Sequence, residues 1–212
     1  MAAGGLFCDL DGTLCDSLTA LRGAYQRFMA GFGLPASDAE FDSLNGPPLA
    51  QLVAILRTKH GLPGTDQDLL TGYLALAERA QADALPASGA AILLARARQK
   101  NWQVWVVTSG RRDASLAWLA RHSLDKYVDG LVGGDEVSRG KPDPEPYLLA
   151  LQRSGLRSEA SLAVEDSEAG AQAALAARLP TWLLAKQAPL ALKSSDLFQG
   201  TLPGLAALAE QL

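Results

Sequence analysis

From residue 88 onward the chain alternates helical stretches with apolar runs too short to be helices, and few architectures accept that rhythm. Residues 88–100, 113–122 and 168–177 carry helical spacing. A further helix over 144–154 has Asp143 as its N-cap and Pro144 at its first position. Between them lie short runs at 104–107, 130–133, 162–164 and 181–184, and a last helical stretch spans 202–212. Short apolar strands separated by helices predict a parallel sheet covered on both faces. Residues 5–9 supply one more strand. Between that strand and residue 83 nothing reads as strand: residues 17–33 place Leu18, Leu21, Tyr25, Phe28 and Met29 at helical spacing, and 49–57 and 69–82 repeat the pattern. The reading is an α/β fold, a Rossmann-like parallel sheet core formed by residues 1–15 and 84–212, with an all-helical domain inserted at 16–83. The Pro-Ala-Ser-Gly stretch at 86–89 is its expected hinge.

Composition narrows the function classes. At 212 residues, 48% hydrophobic and 20% charged, the chain can bury one core and a modest insertion. No stretch approaches the roughly 20 continuous apolar residues of a membrane span, and no basic segment followed by an apolar block opens the chain. A soluble, cytoplasmic protein with no membrane partner is expected, as a monomer or weak homodimer. A net charge of −4 disfavours a nucleic-acid partner, which needs a basic face. Two cysteines, Cys8 and Cys15, and two histidines, His60 and His122, are too few and too scattered for a structural zinc cluster. Cys8 alternates with Asp9 along the strand and should point into the core. Trp102, Trp105 and Trp118 read as packing residues.

In an open parallel α/β sheet, ligands bind beyond the carboxyl ends of the strands. The residues at those ends are Asp9 and Asp11, then Thr108-Ser109-Gly110, then Lys141 in "RGKPDP", then Glu165-Asp166. Clustered carboxylates are costly without a cation, and Mg²⁺ takes hard oxygen ligands together with substrate phosphate oxygens. The set therefore predicts a magnesium site. One carboxylate can attack phosphorus, a second can protonate the leaving oxygen and then activate water, and lysine, hydroxyl and backbone donors can hold phosphoryl oxygens. Asp9 and Asp11 suit the first two roles.

Each fragment alone has a plainer reading. Asp11-Gly12 is a common turn pair, a loop lysine is usually solvated, and acids before a helix favour its dipole. Order, placement at strand ends and joint chemistry together carry the catalytic reading. "DLDGTL", "VVTSG", "GKPDP" and "VEDSEAG" resemble, in order, the four motifs of the haloacid dehalogenase-like hydrolase superfamily, and the helical block resembles the mobile cap that such proteins insert after the first motif. The resemblance implies that Asp9 is the nucleophile and a magnesium ligand, and that Asp11 is the acid/base, binding the metal through its carbonyl. It implies that Thr108, helped by Ser109 and Gly110, binds phosphate and that Lys141 balances charge. Asp166 then holds magnesium with Glu165 in support.

Arg111 and Arg112, just after the phosphate loop, are possible substrate contacts. "LNGPPLAQL" at 44–52 is similar to the cap turn of phosphoglycolate phosphatase-like members, and Arg22, Tyr25 and Asn45 are possible contacts for the leaving group. Asp11 argues against dehalogenase and phosphonate-cleaving activity, whose members typically lack an acid there. Leu21 stands near the place where β-phosphoglucomutase-like members carry a histidine, which favours hydrolysis over mutase activity. A phosphorylated receiver domain, a signalling alternative, would be shorter and capless, with its acceptor after the third strand. A non-catalytic binder of phosphometabolites would tolerate loss of a catalytic acid, and none is missing. The expectation is a Mg²⁺-dependent phosphatase acting through an aspartyl phosphate on a small phosphorylated substrate, a sugar phosphate or phosphoglycolate.

Overall fold

The computed structural model describes residues 4–44 and 49–212, the side chain of Asp42 excepted. Its elements run β1 (Gly4–Cys8), α1 (Ser17–Ala30), α2 (Asp38–Ser43), α3 (Leu49–His60), α4 (Asp66–Asp83), α5 (Ala90–Gln99), β2 (Trp102–Val107), α6 (Arg112–Arg121), β3 (Gly130–Val132), α7 (Glu145–Ser154), β4 (Ser161–Glu165), α8 (Glu168–Ala176), β5 (Thr181–Leu184), α9 (Leu190–Lys193), β6 (Phe198–Leu202) and α10 (Leu205–Gln211). They form two compact units, one of residues 1–16 and 85–212 and one of Ser17–Ala84.

The first unit is an α/β fold whose six strands lie in the order β3-β2-β1-β4-β5-β6. Every pairing is parallel. Parallel pairing needs helical crossovers that cover the sheet, so the central strands read as unbroken apolar runs. All five residues of β1 are buried. On one face Phe7, Trp105, Val107, Val132 and Ala163 pack against Tyr147 and Ala150 of α7 and Ala173 and Ala174 of α8. The chain leaves β1 toward β2 on one side and reaches β4 on the other. The strand order therefore reverses between β1 and β4, the place beyond the strand ends where open α/β sheets bind their ligands.

The second unit is helical and has its own core. Tyr25, Phe28 and Met29 of α1 meet Leu52, Val53 and Leu56 of α3 and Tyr73 of α4, with Phe28 and Tyr73 edge to face at 5.1 Å. A capping box opens α4: the Thr65 hydroxyl accepts from Asp68 N–H while the Asp68 carboxylate accepts from Thr65 N–H. Leu18 departs from expectation. It sits in the first turn of α1 but is 45% exposed, outside the buried stripe of Tyr25, Phe28 and Met29.

Other differences are local. The last expected helix, from residue 202, begins at Leu205, because 198–202 form β6 instead. In "FQGTL" the apolar and polar positions alternate, and Gly200 at φ +120° absorbs a register shift between Thr181 and Trp182 of the neighbouring strand. Pro144, not Asp143, is the N-cap of α7. The Asp143 carboxylate still accepts the Glu145 N–H at 3.0 Å, so it serves the capping function from one residue earlier.

Candidate active site

β1 stops at Cys8, but the Asp9 N–H still donates to Val164 O at 3.0 Å, so the Asp9 side chain is fixed by the β1–β4 ladder at the reversal point. The next residues turn tightly. Thr13 N–H and Cys15 N–H both donate to Leu10 O, and Gly12 N–H donates to Cys15 O at 2.9 Å. Gly12 takes φ +86°, and a Cβ there would stand 2.0 Å from Asp166 Oδ2. Only glycine lets the β4-end carboxylate lie against the β1-end turn.

Lys141 comes from the loop before α7. Its ammonium donates to Asp9 Oδ1 at 2.6 Å, Glu165 Oε1 at 2.5 Å and Val107 O at 2.8 Å, using all three N–H groups. Burial alone would lower its pKa; Asp9 and Glu165 outweigh that and raise it, so it is a permanent cation. Glu165 is fully buried and also accepts from the Tyr147 hydroxyl at 2.6 Å. Burial, then Asp9, pushes Glu165 upward, and Lys141 and Tyr147 oppose the shift. Burial and the Asp9 charge likewise raise Asp11 to about 6, eased by Thr108 and Lys141. The same two causes raise Asp166 to about 7, although it keeps one side in solvent. Four carboxylates thus face one ammonium, and burial together with the excess negative charge lifts Asp11, Glu165 and Asp166.

That imbalance, together with one orphaned atom, tests the fit of a cation. Asp9 Oδ2 is buried without a hydrogen-bond partner among the described residues. Asp9, Glu165 and Asp166 each bring an oxygen within 4.8 Å of the others. A hard cation at Asp9 Oδ2 and Asp166 fits this donor set. Glu165 is the least free of the three, since its Oε1 already takes Lys141 and Tyr147.

The end of β2 adds donors. Thr108 is buried, and its N–H donates to Val132 O at 3.0 Å. Its hydroxyl accepts from Gly110 N–H at 2.9 Å and lies 3.5 Å from Asp11 Oδ2. Gly110 O in turn accepts from Gly134 N–H at 2.8 Å, which holds the loop open beside Asp11 while Ser109 faces solvent.

Arg111 and Arg112 are engaged away from this cluster: Arg111 pairs with exposed Asp113 at 3.0 Å, and Arg112 with Glu136 at 3.5 Å. In the helical unit, Tyr25 is buried and its hydroxyl donates to Glu40. Arg22 pairs with Asp38 at 3.0 Å and lies over the Phe41 ring. Asn45 lies outside the described residues. His60 bonds to Glu40 at 2.8 Å and His122 stacks against Trp118. Tyr147 is the site residue that sequence reasoning missed. In "PEPYLLA" it reads as a core aromatic at helical spacing, and nothing in the pattern announces that its hydroxyl ends on Glu165.

The sequence pattern that defines the family described as haloacid dehalogenase-like hydrolase matches residues 6–184. A validoxylamine A 7'-phosphate phosphatase from Streptomyces hygroscopicus subsp. limoneus is 33% identical over 168 residues, 78% of each chain. Hexitol phosphatase A from Escherichia coli K12 is 32% identical over 183 residues, 84% of this chain and 81% of the other. A crystal structure from Thermotoga maritima, provisionally assigned as a β-phosphoglucomutase, superposes with a TM-score of 0.82 at 25% identity, covering 99% of this chain and all of that one.

Proposed function

This chain belongs to the haloacid dehalogenase-like hydrolase family and is a phosphoric monoester hydrolase, and we propose that it removes phosphate from a small phosphorylated metabolite in the cytoplasm with Asp9 as nucleophile. The observation that carries this reading is the state of the Asp9 carboxylate: Oδ1 is pinned by Lys141 while Oδ2 is buried and has no hydrogen-bond partner among the described residues. A carboxylate so held is aimed, and half of its hydrogen-bonding capacity is kept open.

Asp9 attacks phosphorus and the bond to the leaving oxygen breaks, with the Asp11 proton going to that oxygen. Water then attacks the phosphorylated Asp9. Asp11, now ionised, takes a proton from the water, and the Asp9–phosphorus bond breaks to release inorganic phosphate. An Asp11 pKa of about 6 suits a group that must give and take a proton near neutrality. Thr108, Ser109 and Gly110 bind the phosphoryl oxygens, and Lys141 bridges the Asp9 and Glu165 carboxyls and balances charge beside the nucleophile. Asp9 and Asp166, with the Asp11 carbonyl and Glu165 in support, hold Mg²⁺, which when bound neutralises phosphoryl charge. Residues 16–83 form a cap that selects the substrate, and residues 1–15 and 84–212 the catalytic core.

The two relatives are named for validoxylamine A 7'-phosphate and for a hexitol, and others of similar identity for phosphoglycolate, which supports a sugar phosphate, a polyol phosphate or phosphoglycolate as substrate. The test is phosphate release from a panel of sugar, hexitol and two-carbon phosphates, with and without Mg²⁺. Release confined to two-carbon acids would assign phosphoglycolate, release confined to sugar and hexitol phosphates would assign those, and release from none would overturn the reading. A mutase reading draws on the Thermotoga maritima likeness. Conversion of β-glucose 1-phosphate to the 6-phosphate without phosphate release, followed by phosphorus NMR, would favour it.

A further inference from the structure

A second cavity, with polar groups set in a largely apolar wall, lies in the α/β unit, on the β5–β6 side of the Asp9 turn. It measures about 590 Å³ and is lined by Gly12 and Thr13, by Ala87 and Ser88, by Lys186 just past β5, and by Thr201 in β6. One lining residue carries an unexplained group. Thr13 is fully buried and its hydroxyl has no hydrogen-bond partner among the described residues. Lys186 is exposed, and no acid among the described residues pairs with it.

The start of α5 stands beside this cavity without a side-chain cap. Its N-cap is Gly89 at φ +86°, where a Cβ would meet Ala206 N at 2.7 Å. A serine or aspartate cap is therefore excluded by packing, so no side chain caps this ten-residue helix, and in its first turn the Ala90 N–H donates to Ala87 O at 3.0 Å. A cation, free hydroxyls and an uncapped helix start share one preference, which is for negative oxygen.

We propose that this cavity is a second oxyanion site, separate from the catalytic phosphate loop, with Lys186 as its cation and Thr13 and Ser88 as hydroxyl donors. It takes inorganic phosphate or the phosphoryl end of a small metabolite. Leu184, Leu202 and Leu205 in the remaining wall give room for a short carbon body. The cavity touches both the turn between Asp11 and Leu14 and the segment 85–87, which pairs with 14–16 through Asp16 N–H to Leu85 O and Ala87 N–H to Leu14 O. An anion bound there clamps the turn that carries Asp11, so phosphate acts on turnover from a place other than the catalytic loop.

The experiment is calorimetric titration of inorganic phosphate into the full chain with Mg²⁺, paired with amide chemical-shift mapping. Two phosphates per chain are expected, the second moving the Gly12, Ser88 and Thr201 amides. Lys186→Ala should weaken that second event by about tenfold or more, the loss of a charged hydrogen bond, and leave turnover without added phosphate unchanged. Thr13→Val, nearly isosteric, should weaken it as well. Methylphosphonate distinguishes the sources: tighter binding than phosphate assigns the phosphoryl end of a metabolite, weaker binding assigns the free ion. A single phosphate per chain, or two retained with unaltered affinity in both variants, overturns the proposal. Because binding and not turnover is read, its failure is separate from failure of the phosphatase reading.

Discussion

Lys141 Nζ sits 2.6 Å from Asp9 Oδ1, joining residues 132 positions apart, and it does so from a side chain only 6% exposed. A buried ion pair gains little over an apolar one, but breaking it strands the partner charges. Lys141→Met leaves Asp9 and Glu165 facing each other without a cation. Denaturant unfolding should show a loss of about 3–5 kcal/mol. Phosphate release should fall by about a hundredfold or more, because the donor that holds the nucleophile is gone. Near-normal values of both would remove Lys141 from the site.

The raised carboxyls set a pH dependence for the metal-free protein. An acid whose folded pKa lies above its unfolded value binds more protons when folded, so stability falls as pH rises from the unfolded value to the folded one. For Asp11 that window runs from 3.8 to about 6. Asp166 adds in the same direction up to about 7, though its solvent exposure screens the effect and the expectation rests on Asp11. Mg²⁺ binds the ionised carboxylates, so it should raise Tm more at pH 7 than at pH 5. An equal Mg²⁺ shift at both pH values in calorimetric scans would contradict the ligand assignment.

Gly12→Ala tests the contact between the two strand ends. The new Cβ would stand 2.0 Å from Asp166 Oδ2 at a φ of +86°. A strained backbone of this kind costs about 1–3 kcal/mol, and the displaced carboxylate should weaken Mg²⁺ binding as well as turnover. Titration of the variant with Mg²⁺ at unchanged affinity would show that Asp166 does not need this contact.

Much of this site was legible because its chemistry falls at strand ends, where an apolar run breaks into acid or hydroxyl. Asp9, Thr108 and Glu165-Asp166 each follow such a run, and the parallel sheet then gathers them at the point of reversal. Lys141 is in a loop, and only its motif marked it. Tyr147 stayed hidden because its ring packs as any core aromatic does while its hydroxyl is spent on a partner 18 residues away. The network around Glu40 was equally silent, since Tyr25, Lys59 and His60 meet it across three helices. β6 was overlooked because a glycine interrupts a short alternating run.

Glu40 gives the helical unit an acid limit of its own. Burial opposes its charge, but hydrogen bonds from Lys59, Tyr25 and His60 prevail and hold its pKa at about 2. A depressed acid stabilises the fold above its unfolded pKa and loses that contribution as pH falls toward the folded one. Glu40→Gln should therefore flatten the loss of stability between pH 4.5 and about 2. A variant that keeps the wild-type acid profile in circular dichroism would place the acid sensitivity elsewhere.

The measurement that bears most directly on the nucleophile is phosphate release by wild type and Asp9→Asn on the best substrate of the panel, with Mg²⁺ present and both proteins shown to be folded. Asparagine keeps the shape of the side chain but cannot form the phosphorylated intermediate, so turnover should fall by at least about a thousandfold. Wild-type turnover in folded Asp9→Asn would contradict the account.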